Sequence, residues 1–149
     1  MNIEKLREQI AYDEGIEHKI YLDHLGLPTF GIGHLIRESD PEHGSEVGTL
    51  VSEDRVNEAF ESDIQTVLSD CNKLYSDFED LPEEAQLIIA NMMFNLGYPR
   101  LSKFKGMKQG VDARDWNAAA DEMVDSRWYH QVTNRAERLV QRMRAIWYG

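Results

Sequence analysis

Apolar residues recur at helical spacing from the start of the chain: Ile3, Leu6 and Ile10 share one face, and Gly15 is the residue type that commonly stops a helix. The spacing predicts a helix over 3–14 with Glu14 in its last turn. The next segment, His18 to Leu22, is short, part β-branched and part aromatic. Turn chemistry follows in His24-Leu25-Gly26-Leu27-Pro28, after which Thr29 to His34 extends again. This pattern predicts a β-hairpin in which Asp23 ends the first strand and Thr29 opens the second, so that the two side chains face each other across the turn. Residues Arg37 to Gly48 are polar and rich in turn formers, and are read as an exposed loop.

From Ser52 onward Val56, Phe60, Ile64, Val67, Leu68, Cys71 and Leu74 hold one apolar stripe, with Ser52 as N-cap. A helix over about 52–75 is about 30 Å long at 1.5 Å per residue, enough to join two lobes. Pro82 suits the first turn of another helix that runs to Leu96 and closes at Gly97; its middle is apolar almost all round, as a central buried helix requires. Shorter helices are predicted from Ser102 to Gln109 closed by Gly110, from Ala113 to Asp125 opened by Asp112, and from Asn134 to Trp147 opened by Thr133. The fold class is therefore α+β and mainly helical. One domain of two lobes is expected: a small lobe over about 13–55, a connecting helix over about 52–75, and a helical lobe over about 76–149 that includes the helix at 3–14.

Composition narrows the function classes. The 149 residues carry a net charge of −11, unevenly spread: 1–98 hold 6 basic and 21 acidic side chains, and 99–149 hold 10 and 6. That balance argues against a nucleic-acid partner, which calls for a basic footprint. Cys71 stands alone, so no intramolecular disulfide forms and a reducing compartment is expected. The first residues mix charge with apolar positions, unlike a signal peptide, and no run reaches membrane-spanning length, so no stable membrane association is expected. Asp40-Pro41-Glu42-His43-Gly44 lacks the spacing of a calcium loop, and the five histidines form no zinc pattern, so neither metal nor cofactor is expected.

The candidate chemistry lies at the hairpin. Glu14 sits where a helix ends and faces the negative pole of its dipole, and Asp23 sits at a strand end. Two carboxyl groups in unlike surroundings are what glycoside hydrolysis asks of its acid and its base. With 27 acidic residues in the chain, two carboxylates near a hairpin are by themselves more often solvated surface. Asn91 and Asn95, one turn apart on the central helix, either satisfy core hydrogen bonds or line a cleft. Trp128 and Tyr129 beside Arg127 form a sugar platform or pin helices together; on pattern alone packing prevails.

These residues resemble a known family, the lysozymes of T-even bacteriophages. The likeness is carried by Asp13-Glu14-Gly15, Ile20-Tyr21, Asp23, Gly26 and Thr29 with Gly31-Ile32-Gly33-His34-Leu35, and by Ser126-Arg127-Trp128-Tyr129, Gln131 and Asn134-Arg135-Ala136. It implies a two-lobed lysozyme-like fold and an inverting muramidase that cuts the β-1,4 bond between N-acetylmuramic acid and N-acetylglucosamine in peptidoglycan. By the same resemblance Glu14 is the general acid, Asp23 the carboxylate that activates water, and Thr29 the hydroxyl that holds it. Arg135 lies beside the acid, Asp63 pairs with His34, and Leu35 and Phe94 line the sugar cleft. Leu35, Phe94, Asn95 and Arg135 together make the expected substrate-binding set. At two positions where the family contacts glycan this chain carries Met107 and Glu122. The resemblance further implies a monomer that accumulates in the cytoplasm of the infected bacterium and reaches the wall through a hole made by a separate membrane protein. The alternative is a wall-binding or tail-associated module that keeps the fold with weak catalysis.

Overall fold

A computed structural model describes residues 1–147, and it has the mainly helical α+β architecture expected. The chain contacts divide it into two units, Arg7–Thr66, and Met1–Leu6 with the chain from Val67 onward. Helices α1 (Ile3–Glu14) and α2 (Glu53–Leu74) each run through the boundary.

In the unit Arg7–Thr66, strands β1 (Glu17–Leu22), β2 (Pro28–Gly31) and β3 (His34–Leu35) form one antiparallel sheet in that order. Sequence predicted Thr29 to His34 as a single extended segment. Instead Gly31 and Gly33, both with positive φ, fold the chain back after β2, so that Thr29 pairs with Leu35 and Phe30 with His34. Tyr21 pairs with Thr29 across β1 and β2. Cross-strand partners share a face, so Ile20, Phe30 and His34, all buried, form one side of the sheet. The Arg55 guanidinium caps the Phe30 ring at 5.4 Å from its centre. The free edge of β1 is covered when the chain returns: Ile20 N–H donates to Thr49 O at 2.9 Å and Val51 N–H to His18 O at 2.9 Å.

The polar loop after β3 is tied down rather than loose. His34, 3% exposed, meets Asp63 of α2 through Nδ1 at 2.7 Å and Asp40 of the loop through Nε2 at 2.9 Å. Arg55 donates to both oxygens of Glu42, at 2.9 and 3.0 Å, and to Asp40 at 3.2 Å. Burial alone lowers the pKa of His34, but the two flanking carboxylates outweigh it and the net shift is upward. Burial raises the pKa of Asp40, yet the Arg37 N–H and His34 bring it below the ordinary carboxylate value. The pairing of His34 with Asp63 follows the expectation from sequence. Asp40 as second partner was not foreseen, because its neighbours read as turn residues.

The second unit is built on α3 (Glu83–Leu96), whose residues Ala85 to Met93 are all buried. A single 3-10 turn (Phe78–Asp80) leads into it, and α4 (Tyr98–Leu101), α5 (Lys105–Asp112), α6 (Trp116–Val124), α7 (Arg127–Gln131) and α8 (Thr133–Arg144) follow. Helix α5 packs on α6, and α6 on α8. Several predicted boundaries move, and each for a local reason. The helix expected from Ser102 to Gln109 begins instead at Lys105 and runs to Asp112 as α5, and the short helix α4 that precedes it was not expected. Gly110 lies inside α5 rather than at its end, since a Cβ there would come within 2.6 Å of the Ala119 backbone nitrogen. The helix instead ends on Arg114 at φ 58°, with Asp115 N–H returning to Gly110 O and Arg114 N–H to Val111 O. Asp115, not Asp112, then caps α6 by accepting from Ala118 N–H at 3.0 Å. The segment from Ser126 forms α7, capped by Ser126 itself. Helix α8 stops at Arg144, before the expected Trp147: Ala145 is exposed and Trp147 is 87% exposed, so no buried stripe continues the helix.

Two outcomes follow. Gly110→Ala gains helix propensity of about 1 kcal/mol, but backbone cannot yield to the new methyl as a side chain would, and overpacking costs about 1–3 kcal/mol. Its thermal midpoint is expected to fall, and an unchanged or higher midpoint refutes the close α5–α6 approach. The His34 cluster gives a pH signature. His34 is raised, so its share of stability is complete below about 6.5, its unfolded value, and fades as pH climbs through the folded value. Asp40 is lowered, so its share is complete above about 3.9 and fades as pH falls through the folded value. Asp63→Asn is therefore expected to cost most between these limits, about 3 kcal/mol for breaking a buried pair. Urea unfolding of both proteins from pH 3 to 9 measures the difference, and a pH-independent gap contradicts this account.

Candidate active site

Glu14 is the last residue of α1, whose closing turn has Gly15 at φ 73° and Gly15 N–H bonded to Ala11 O at 2.9 Å. Its carboxyl rests against the α-carbon of Gly33 in the turn between β2 and β3. A Cβ added at Gly33 would stand 2.5 Å from Glu14 Oε1 and 2.8 Å from its carboxyl carbon. No side chain larger than hydrogen fits between them, and Gly33 also takes φ 61°, a conformation that suits glycine. The helix end and the sheet turn therefore meet at the carboxyl itself.

Asp23 and Thr29 are brought together by the backbone of one residue, Leu27. Asp23 Oδ1 accepts from Leu25 N–H at 2.8 Å and from Leu27 N–H at 2.9 Å, which closes the tip of the hairpin as an aspartate turn. The Leu27 carbonyl accepts in return from Asp23 N–H and from the Thr29 hydroxyl, each at 2.9 Å. Thr29 is 3% exposed. With its proton given to Leu27, its oxygen is left as an acceptor. Among the described residues Asp23 Oδ2 has no hydrogen-bond partner. The sequence reading placed these two residues across the turn but had no means of seeing that both bond to the Leu27 backbone.

Tyr21 is the residue that sequence reasoning quoted without giving it a role. It pairs with Thr29 and is half-buried. Its phenol pKa is raised, first by burial and then by the carboxylates of Glu14, Glu17 and Asp23. The available signal was positional: Tyr21 precedes Asp23 by two residues and so shares its side of the strand.

The expected binding residues divide between the units. Leu35, paired with Thr29 at the sheet edge, is 46% exposed. Phe94, Asn95 and Arg135 belong to the helical unit. Asn95 accepts from the Trp128 indole N–H at 2.7 Å, and Phe104 meets the Trp128 ring edge-on at 6.4 Å. Trp128 is 2% exposed, so packing is what this aromatic does. Arg135 is buried and donates through Nε to Asn91 Oδ1 at 2.8 Å. Asn91 thereby resolves as a core hydrogen-bonding residue. Met107, one of the two departures from the family pattern, is fully buried in α5. Glu122 is exposed and lies over Gly106, at the rim of a shallow pocket of about 270 Å³ that also involves Phe104 and Ser126. Among the described residues no group of acidic, histidine or cysteine side chains is arranged to hold a metal ion.

Comparison with known proteins places this geometry in a family. The Phage lysozyme family profile matches residues 11–145. Probable T4-type lysozyme 1 of Dictyostelium discoideum is 27% identical over 157 residues, an alignment that spans 93% of this chain and 92% of that protein. The pre-baseplate central spike protein Gp5 of Enterobacteria phage T4 is 28% identical over 90% of this chain, which corresponds to 26% of the spike protein. The peptidoglycan hydrolase gp36 of Pseudomonas phage phiKMV is 26% identical over 92% of this chain and 15% of its own length. A family profile that spans nearly the whole chain, together with a T4-type lysozyme matched almost end to end, shows that this chain belongs to the phage lysozyme family, whose members are glycoside hydrolases.

Proposed function

We propose that the protein is a muramidase that hydrolyses the β-1,4 bond between N-acetylmuramic acid and N-acetylglucosamine in peptidoglycan, with inversion at the anomeric carbon. The observation that carries this reading is the unlike tethering of two carboxyl groups in one unit, Glu14 against an α-carbon and Asp23 on two N–H donors. Glu14 protonates the departing glycosidic oxygen. Asp23, through the oxygen its turn leaves uncommitted, takes a proton from the attacking water. Thr29 accepts a hydrogen bond from the water's other O–H, which stays on the new anomeric hydroxyl, since its own proton is given to Leu27 O. A single displacement of this kind needs room for water between the carboxyls, about 6.5–9.5 Å. Leu35, Phe94, Asn95 and Arg135 are the proposed glycan contacts, with Arg135 acting from its bond to Asn91.

The protein works as a monomer, without a cofactor. It accumulates in the cytoplasm of an infected bacterium and acts on the wall after a separate membrane protein opens a way out. Among the described residues no helix is long and apolar enough to cross a membrane. A second setting is favoured by one observation, the match to part of a protein named as a phage spike. Immunoblotting of purified virions separates the two: absence of the protein from particles supports the lytic setting, and its presence supports the tail.

Glu14→Gln keeps the side-chain shape and removes the proton, and general acid catalysis is worth about 100- to 10,000-fold. Turbidity clearing of purified peptidoglycan should fall by that factor while circular dichroism stays that of the wild type. Equal rates would end the assignment of Glu14. Gly33→Ala tests its seat. The methyl must displace the carboxyl, and the left-handed backbone adds about 1–2 kcal/mol of strain. Activity should drop at least 10-fold, well beyond what partial unfolding at that cost produces under native conditions. Full activity in a folded Gly33→Ala protein overturns the placement of the acid.

A further inference from the structure

Of the four basic side chains in the unit Arg7–Thr66, three are held by carboxylates: Arg7 by Glu61, Arg37 by Asp40 and Asp63, and Arg55 by Asp40, Glu42 and Glu58. Lys19 is the fourth. Its side chain is exposed, and among the described residues its ammonium has neither ion pair nor hydrogen bond, although the unit holds fourteen acids. Its place is fixed along the outer edge of β1. There Lys19 bridges Leu50, between the bonds Ile20 N–H to Thr49 O and Val51 N–H to His18 O, each 2.9 Å, so 18–20 stay in regular pairing past the irregularity in the β1–β2 register. Ile20 and Val51 are buried, so Lys19 and the 84%-exposed Leu50 stand on the opposite face. Tyr21, two residues on, shares that face; it pairs with Thr29, and Thr29 with Leu35. Lys19 therefore stands on the face of the sheet that carries the Thr29 hydroxyl, about 7 Å before Tyr21 at 3.4 Å per residue. Its flexible four-carbon stem lets the ammonium reach across that face.

We propose that Lys19 is a substrate-binding residue of the muramidase, its ammonium pairing with a carboxylate on the muramyl side of the glycan: the lactyl carboxylate of an unsubstituted sugar, or one in the peptide that amidates it. The inference rests on the reading of the protein as a muramidase. Its physical basis is that the excess acid of this unit repels an anionic chain, and the other three cations already have carboxylate partners. An incoming carboxylate therefore gains most at Lys19, which exchanges only water for it. Uncharged β-1,4 chains of N-acetylglucosamine lack that carboxylate, so the same contact separates wall glycan from chitin-like polymers. Lys19 gives up no proton in the reaction; bond cleavage stays with Glu14 and Asp23.

The test compares Lys19→Gln with the wild type on three soluble substrates: glycan strands stripped of peptide, which bear lactyl carboxylates; the same strands with those carboxyls reduced to alcohols; and peptide-bearing fragments. On a carboxylate substrate KM is expected to rise about 2- to 5-fold with kcat unchanged, the worth of one exposed ion pair made equally in ground and transition states. On the reduced strands variant and wild type should agree. A rise on the peptide-free strands assigns the lactyl carboxylate, and a rise on the peptide-bearing fragments alone assigns the peptide. Lys19→Arg should restore the wild-type KM, and salt of about 1 M should shrink the difference. Lys5→Gln, which makes the same change of net charge in α1 rather than in the sheet, should leave every KM in place. The inference is overturned by an unchanged KM for Lys19→Gln on both carboxylate substrates, by an equal rise on the reduced strands, or by an equal rise for Lys5→Gln. Failure of the wild type on the reduced strands also overturns it, since one exposed ion pair cannot carry so large a loss. In each of these cases the muramidase reading stands, provided the wild type cleaves the natural strands and Glu14→Gln does not. A wild type that cleaves none of the three, or a fully active Glu14→Gln, ends that reading and this inference with it.

Discussion

The unit that carries Glu14, Asp23 and Thr29 depends on one buried histidine with a carboxylate at each ring nitrogen. His34 opens β3, Asp63 stands on α2 and Asp40 on the polar loop, so one imidazole ring joins three segments, beside the Arg55 bonds that also tie α2 to the loop. Strand β3 is two residues long, too short to be stable on its ladder bonds alone. Burial would ordinarily drive the ring to its neutral form; two carboxylates within 3 Å reverse that balance. What this secures for the site is indirect but specific. Thr29 pairs with Leu35, the neighbour of His34, so fixing β3 fixes the back of the strand that presents the hydroxyl.

A different economy governs the front of the site. Leu27 uses its N–H for Asp23 and its carbonyl for both Asp23 N–H and Thr29, so one residue's backbone sets the Asp23 carboxylate and the Thr29 hydroxyl relative to each other. Glu14 comes from another element, and its carboxyl lies against Gly33 rather than in the hairpin tip. A change in the hairpin tip, where Leu25 and Leu27 are exposed, reaches Asp23 and Thr29 together while the seat of Glu14 lies on the other side of the sheet turn. Catalytic groups held by rigid, separate supports are what preorganised charge stabilisation requires.

How much of this was legible in the sequence depends on the kind of information each residue carried. Helices with a continuous apolar stripe, α1, α2 and α3, were readable almost to the residue, because burial of that stripe is what makes them helices. The hairpin was readable from turn residues, though not the third strand, since Gly31 and Gly33 mark a reversal that a pattern of side chains does not show. Gly110 is the instructive error. Its residue type signalled a helix end, whereas its use is the close approach of Ala119, a fact about how the next helix packs. The end was supplied by Arg114, a residue whose side chain bonds to Val111 O and Asp77 while its backbone is left-handed. The candidate site followed the same rule: Glu14, Asp23 and Thr29 were found by spacing and likeness, but Asp40 and the Leu27 backbone act only through the folded register.

The acidic balance has a structural side as well. Residues 7–66 hold four basic and fourteen acidic side chains. Three of the four bases pair with acids, Arg7 with Glu61, Arg37 with Asp63 and Asp40, and Arg55 with Glu42, Glu58 and Asp40. The excess negative charge that remains bears on any anionic polymer that approaches this unit, and at 0.15 M ionic strength it is felt over about 8 Å. In the helical unit Lys103, Lys105, Arg127 and Arg138 are exposed, so the attraction available to such a polymer resides there. Raising ionic strength weakens both effects, but it relieves the larger one more. The long-range field of this charge distribution therefore favours an anionic polymer at the helical unit and disfavours it at the unit that carries Glu14 and Asp23.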